Sequence, residues 1–256
     1  MLKWNPHEYL KFAGERTRPS VDLAARIEIE NPRSIIDIGC GPGNSTQVLR
    51  SRWPAAKIIG LDSSAEMIAR ASKDFPESEW ITADVSSYSF PTKHDIVFSN
   101  AAIQWIPDHD ELLPRLMDAV SSGGVFAVQV PSDAGSPLRL ALLEVSARPE
   151  WNRFVAGAEK LAAYHDADYY YNILAPISSK FDLWETTYYH LLDFHKGLVE
   201  WYKGTGMRPF LERIPDEKMK IEFQNQILNE CVKAYRIQDN GKLLYPFKRT
   251  FFIATK

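Results

Sequence analysis

Cysteine is scarce: Cys40 and Cys231 are the only two in 256 residues, far apart and without the paired spacing of a zinc site or a small disulfide scaffold. That usage suits a reducing, cytoplasmic setting. Charge of one sign is not in excess either. Thirty Lys and Arg face 33 Asp and Glu for a net charge of −3, so there is no global basic field to hold a nucleic-acid backbone or an anionic bilayer. Long apolar runs are missing: the first ten residues interleave Trp4, Asn5, Pro6, His7 and Glu8 where a signal peptide needs unbroken apolar chain, and no later stretch is long enough to span a membrane. Internal repeats and low-complexity linkers are missing too. What remains is 45% hydrophobic and 25% charged, over a length suited to one domain carrying an insertion. Aromatics reach 12%, and many lie outside the strand-like segments, at Trp4, Tyr9, Trp105, Tyr169, Tyr170, Tyr171 and Trp201, where a water-excluding cover would use them.

Residues 32–131 alternate short β-branched runs with amphipathic segments, the pattern of parallel strands joined by helices. Strands are expected at 34–38, 57–61, 80–83, 95–99 and 124–130, with helices at 45–52, 65–72 and 110–120. Such a sheet holds its ligand at the carboxyl ends of its strands. A helical leader precedes it: Asn5, Pro6 and Glu8 read as cap, first-turn proline and capping-box acid, and Tyr9, Phe12, Ala13 and Arg16 share a helical face. A second helix runs from Ser20 towards the Asn31-Pro32 break. The chain reads as a single domain, with 1–31 as helical cover, 32–131 as core and 132–185 as an aromatic-rich helical insertion over the strand ends. Residues 186–256 then supply two late strands, 186–194 and 247–254, around a helix near 216–235.

The densest chemical signal is Ile35-Ile36-Asp37-Ile38-Gly39-Cys40-Gly41-Pro42-Gly43-Asn44-Ser45. An apolar strand ends in a glycine-rich turn that opens a helix, so backbone N–H groups can meet the anionic end of a ligand at close range. The same glycines would serve a plain tight turn, or a dinucleotide enzyme, although that motif wants glycine where Asn44 stands and does not need Asp37. Ile58-Ile59-Gly60-Leu61-Asp62 ends the second strand on a carboxylate able to accept from both vicinal hydroxyls of a ribose. Ser63 and Glu66 read as caps of the next helix, and Met67 as a face for a purine. Trp80-Ile81-Thr82-Ala83-Asp84-Val85 ends the third strand on an acid suited to an exocyclic amino group, beside the N–H of Val85, suited to a ring nitrogen. No phosphate-binding Lys or Arg accompanies these positions, which points to a nucleoside ligand other than a nucleotide. Singly, either acid also reads as a helix cap or a solvated charge.

Taken in order, Asp37-x-Gly39-x-Gly41-x-Gly43, Asp62, Asp84 and Asp95-Ile96-Val97-Phe98-Ser99-Asn100-Ala101 resemble the motifs of the class I S-adenosylmethionine-dependent methyltransferases over residues 32–131. The resemblance implies an α/β, Rossmann-like fold: a seven-stranded, mostly parallel sheet with helices on both faces and an antiparallel last strand. It implies S-adenosyl-L-methionine as cofactor, S-adenosyl-L-homocysteine as product, and no metal. By the same resemblance Gly39 and Gly41 meet the methionyl part, with Asp37, Cys40 and Asn44 as further cofactor-binding residues of the same motif. Asp62 and Ser63 then lie at the ribose, Met67, Asp84 and Val85 at the adenine, and Asn100, Ala101 and Ala102 at the carboxypropyl tail, with Trp105 beside them.

Asn100-Ala101-Ala102-Ile103 is not the Asn/Asp-Pro-Pro-aromatic motif of base or glutamine methylation, and no Pro-Cys nucleophile exists. The flanks carry Trp4-Asn5-Pro6 with Tyr9, Glu15-Arg16-x-Arg18-Pro19, Gln104-Trp105, Trp201-x-Lys203-Gly204-Thr205-Gly206-Met207-Arg208-Pro209, and Gly241-Lys242-Leu243-Leu244-Tyr245-Pro246-Phe247-x-Arg249. They resemble the trans-aconitate-methylating branch of that family almost from end to end. This implies esterification of one carboxylate of trans-aconitate, or of a related tricarboxylate, by direct in-line transfer. A carboxylate of pKa about 4 is ionised at neutral pH and needs no general base. The work left to the protein is positioning, and the candidates are Tyr9, Arg16, Gln104, Trp105, Trp201, Thr205, Arg208 and Arg249; arginine forks and hydroxyls suit the carboxylates that do not react. Arg16 and Arg249 can equally serve surface ion pairs, and Trp105 core packing. His165, alone amid tyrosines, reads more readily as a packing residue than as a base. The rival readings are a malonyl-acyl-carrier-protein O-methyltransferase, another small-molecule methyltransferase, a non-catalytic cofactor-binding module and a nicotinamide oxidoreductase. No nucleic acid or membrane partner is expected, and a monomer is the default.

Overall fold

In the computed structural model residues 13–132 and 134–256 are described, the side chains of Ala13, Glu15 and Arg16 excepted. The leader read from Asn5, with Tyr9, lies outside the described residues. Helix α1 (Ala13–Arg26) runs through Pro19, bridging the interval between the two expected helices, and stops short of Asn31-Pro32. There follow β1 (Ser34–Ile38), α2 (Asn44–Arg52), β2 (Lys57–Asp62), α3 (Ala65–Asp74), β3 (Glu79–Thr82), β4 (His94–Asn100), α4 (His109–Asp118) and β5 (Val120–Pro131). Every strand and helix expected in this stretch is present, β1 with the expected ends and the others with one or both ends shifted. In register, Ile35 pairs with Ile58 of β2 and Ile96 of β4, and Ile36 with Ile59 and Val97. Parallel strands with helices on both faces have no solvent side, which is why they read as apolar runs instead of alternation. Ile36, Ile38, Val97, Phe126 and Val128 bury into one core with Leu113 and Leu116 of α4.

The remaining elements are α5 (Pro137–Ala147), α6 (Pro149–Val155), α7 (Ala167–Leu174), β6 (Lys180–Asp193), α8 (Lys196–Lys203), α9 (Arg208–Leu211), α10 (Glu217–Ala234) and β7 (Lys242–Thr255). The sheet has seven strands in the order β3-β2-β1-β4-β5-β7-β6. Backbone bonds from Gly123 N to Lys256 O (3.0 Å) and from Ser132 N to Lys248 O (3.0 Å) run β7 antiparallel to β5. The mixed, mostly parallel α/β fold is therefore the one the motifs implied.

By contacts the chain divides into two compact units. The first holds the described part of 1–131 with 165–186 and 250–256; the second holds 132–164 and 187–249. The helical insertion ends earlier than 185, because β6 already starts at Lys180, and α7 groups with the first unit. The reason is a buried face: Tyr170 and Leu174, one turn apart, have 0% exposure, and the Tyr170 ring lies 5.2 Å from that of Phe252. In the second unit Trp151 stacks edge-on against Phe223 at 5.2 Å and donates to Gln226 Oε1 at 2.9 Å, tying α6 to α10.

Candidate functional site

The glycine loop is shaped by its own backbone and by two acids. Gly39, Gly41 and Gly43 all have positive φ, 68°, 56° and 95°, conformations that any side chain resists. A Cβ on Gly39 would lie 2.2 Å from that of Ala102, so this residue also lets the loop after β1 touch the loop after β4. The N–H groups of Gly39 and Cys40 donate to Leu61 O at 2.7 and 3.1 Å, which fastens the turn to the end of β2. Cys40 is buried and unbridged, a small filler whose thiol pKa burial pushes well up.

Asp37 is fully buried. Its Oδ2 accepts from Ser45 Oγ and Thr46 Oγ1, both at 2.7 Å, so it anchors the first turn of α2 to β1 beneath the loop. Burial lifts its carboxyl to about 7; the two hydroxyls oppose the rise and the nearby Asp62 adds to it. Asp62, at the end of β2, accepts from Gly41 N (2.9 Å) and Ser64 N (2.8 Å). Burial raises its pKa while those two bonds lower it. A carboxylate has about four lone-pair sites, so two remain for donors on a ligand. Ser64, not Ser63 or Glu66, caps α3: its Oγ accepts from Met67 N at 3.3 Å, and Ser63 is exposed. Met67 is buried on the inner side of α3.

Beyond β3, Asp84 is exposed and holds its own turn, accepting from Ser86 N and Ser86 Oγ at 2.9 and 2.7 Å, while Val85 is buried. Arg115 of α4 reaches this turn and donates to Val85 O and Tyr88 O at 2.5 and 3.0 Å. Sequence reading missed that brace; an arginine on a helix face has no local mark that separates it from a solvated charge. At the end of β4, Asn100 Oδ1 is buried with no hydrogen-bond partner among the described residues. Ala101 has φ 54°, a strained value for a side chain, held by its N–H on Gln129 O (2.9 Å) and its carbonyl under Gln104 Nε2 (2.7 Å). Gln104 is thus a buried brace of this turn, and Trp105 is half-buried beside it. His109, also unforeseen, bonds Ile103 O through Nε2 at 2.8 Å; its neighbour His165 stacks flat on Tyr169 at 3.7 Å, the packing role expected of it. Burial lowers the pKa of both histidines.

The first unit therefore brings Gly39, Cys40, Gly41, Asn44, Asp62, Asp84, Val85, Asn100 and Ala101 to the carboxyl ends of β1, β2, β3 and β4. The cradle that a Cβ would fill at Gly39, the spare acceptor sites of Asp62 and the orphaned Asn100 Oδ1 suit a ligand with a polar tail and vicinal hydroxyls.

The second unit holds the other described substrate-side candidates. Trp201 is 2% exposed, its ring 4.3 Å from that of His190 and 6.2 Å from that of Phe247, so it is an interior residue. Helix α8 stops at Lys203 with Gly204 as cap, so Thr205 and Arg208 do not share its face. Thr205 Oγ1 bonds back to Tyr202 O at 3.4 Å. Arg208 starts α9, and its Nε pairs with Glu212 Oε1 at 2.9 Å; desolvation lowers its pKa and Glu212 works against that. Arg249 is 3% exposed, with its guanidinium 4.5 Å over the Phe247 ring, so it is an interior residue and not a surface one. Tyr9 and the Arg16 side chain lie outside the described residues.

A methyltransferase-domain profile matches residues 35–124, the stretch that holds the loop and both strand-end acids. Trans-aconitate 2-methyltransferase of Escherichia coli strain IAI1 is 40% identical over 258 residues, covering 100% of this chain and 99% of the relative. That of Escherichia coli strain 55989 is 40% identical over 256 residues with the same coverage. Among solved structures, the YcgJ protein of Bacillus subtilis superposes with a TM-score of 0.62 at 15% identity, covering 93% of this chain and 98% of that one. Coclaurine N-methyltransferase bound to N-methylheliamine and S-adenosylhomocysteine does so with 0.56 at 14% identity, covering 94% and 72%. The structural likenesses carry the fold and the full-length identity carries the family: the chain belongs to the trans-aconitate 2-methyltransferases, within the class I S-adenosylmethionine-dependent methyltransferases.

Proposed function

We propose that this protein transfers the methyl group of S-adenosylmethionine to a carboxylate oxygen of trans-aconitate, giving the monomethyl ester. The carrying observation is 40% identity over the whole chain to enzymes of that name. The bound cofactor supplies a methyl on a sulfonium sulfur, a strong electrophile. The Gly39–Asn44 loop offers N–H groups to its amino-acid end, with Asn100 and Ala101 beside the carboxypropyl tail. Asp62 accepts from the ribose hydroxyls, with Ser63 at its side, and Asp84 and Val85 read the adenine, with Met67 behind. Trp105, half-buried beside the Ala101 turn, helps to exclude water.

With the cofactor bound, a carboxylate oxygen would form the new C–O bond as the methyl–sulfur bond broke and its electron pair stayed on sulfur. Positive and negative charge cancel and no proton moves, so the protein needs no general base. It needs instead an in-line approach and cations for the carboxylates that do not react. Arg208 and Arg249, both desolvated, suit that task, and the Thr205 hydroxyl would leave its long bonds to Trp201 O and Tyr202 O to donate to the same acid. Two buried, unbridged thiols suit a cytoplasmic setting for this chemistry. Incubation of pure protein with methyl-labelled cofactor and trans-aconitate is expected to give a base-labile labelled ester that requires the acid. No ester from trans-aconitate, with transfer to an acyl-carrier thioester or another acceptor, would overturn the reading.

A further inference from the structure

Arg139 lies in the first turn of α5, eight residues beyond the end of β5, where the Ser136 Oγ cap accepts from its backbone N–H at 3.2 Å. It is 5% exposed. Its guanidinium sits 5.0 Å from the Tyr164 ring centroid and 5.9 Å from that of Phe210. Among the described residues the one hydrogen bond its side chain makes is a long one, 3.5 Å, to the Glu159 carbonyl. Among the described residues no carboxylate lies within ion-pair distance of it. Arginine is seldom buried to this degree unless paired, because desolvating a charge is costly and a ring face returns only part of the loss. Arg208, in the same unit, already has Glu212. A guanidinium fork desolvated in advance and lacking an anion is the group that holds a carboxylate bidentately.

We propose that Arg139 is a substrate-positioning residue that receives a non-reacting carboxylate of the acid, an inference that rests on the function proposed above. Trans-aconitate is titrated calorimetrically into the full chain and into Arg139→Gln and Arg139→Lys, with S-adenosylhomocysteine present. Mesaconate, glutaconate and itaconate, which each lack a different one of its three carboxylates, are titrated in parallel. The glutamine variant is expected to bind trans-aconitate on the order of ten- to a hundredfold more weakly. The lysine variant falls between, and affinity for the cofactor product does not change. The penalty vanishes on whichever dicarboxylate lacks the contacted group, which a merely structural role would not reproduce. Equal loss on all four acids, unchanged affinity in both variants, or no binding of trans-aconitate by the parent would each overturn the assignment. Arg139-dependent binding without ester formation would instead retire the catalytic reading and leave the anion site standing. If the glutamine variant does not fold, the lysine variant decides: unchanged affinity removes Arg139 from the site.

Discussion

A carboxylate with no solvent exposure normally has a cation beside it. Asp37 has two hydroxyls and a second acid nearby, and its carboxyl is lifted to about 7. In an unfolded chain it titrates near pH 3.9. Between those two values the folded protein holds the extra proton, so this group makes stability fall as pH rises through the window and level off above it. Each unit of separation is worth about 1.4 kcal/mol. Asparagine cannot ionise, so urea unfolding of Asp37→Asn against the parent is expected to shift in the variant's favour by a few kcal/mol from about pH 4 to about pH 7.5, then stay level. A pH-independent difference would mean that Asp37 does not change charge there. The motif made this acid legible and its partners illegible. Ser45 and Thr46 are ordinary first-turn residues until α2 folds back over β1.

Among the elements, α8 has the clearest single stake. Its Trp201 fills the space between β6 and β7 residues His190, Tyr245 and Phe247. Truncation to alanine removes an interior aromatic and is expected to cost about 3–5 kcal/mol, read as a fall in thermal or urea midpoint. A loss below about 1 kcal/mol would mean that the residue is not core. The same segment shows the limit of helical periodicity. Counting four residues from Trp201 aligns Thr205 and Arg208 only if the helix continues, and Gly204 ends it, with Thr205 N and Met207 N both donating to Tyr202 O at 3.0 Å. Strands β1 to β5 carried no such ambiguity. The apolar runs of β1 and β2 end on Gly39 and Asp62, and β3 stops two residues before Asp84.

At the scale of the whole molecule the two cysteines fall one in each unit, Cys40 in the first and Cys231 in the second. Both are buried; desolvation raises the Cys40 thiol well above its ordinary value and that of Cys231 to about 12. Neither thiol is expected to react with an aromatic disulfide reagent in native buffer near pH 8, and both are expected to react after unfolding. Rapid labelling of either in native protein would contradict the burial. In graded denaturant one common step would mean that the units unfold together, and two steps that they unfold apart. The sequence alone determined the strand–helix alternation, the glycine loop and the acids at strand ends, because period, turn chemistry and capping act over a few residues. Only tertiary structure decided that Trp201 is interior, that Asp37 answers to Ser45 and Thr46, and that Arg139 is buried with no carboxylate of the described residues in reach. Burial and pairing are settled by residues distant in the chain, as where Leu138 N donates to the Tyr235 hydroxyl, 97 positions on, at 3.1 Å.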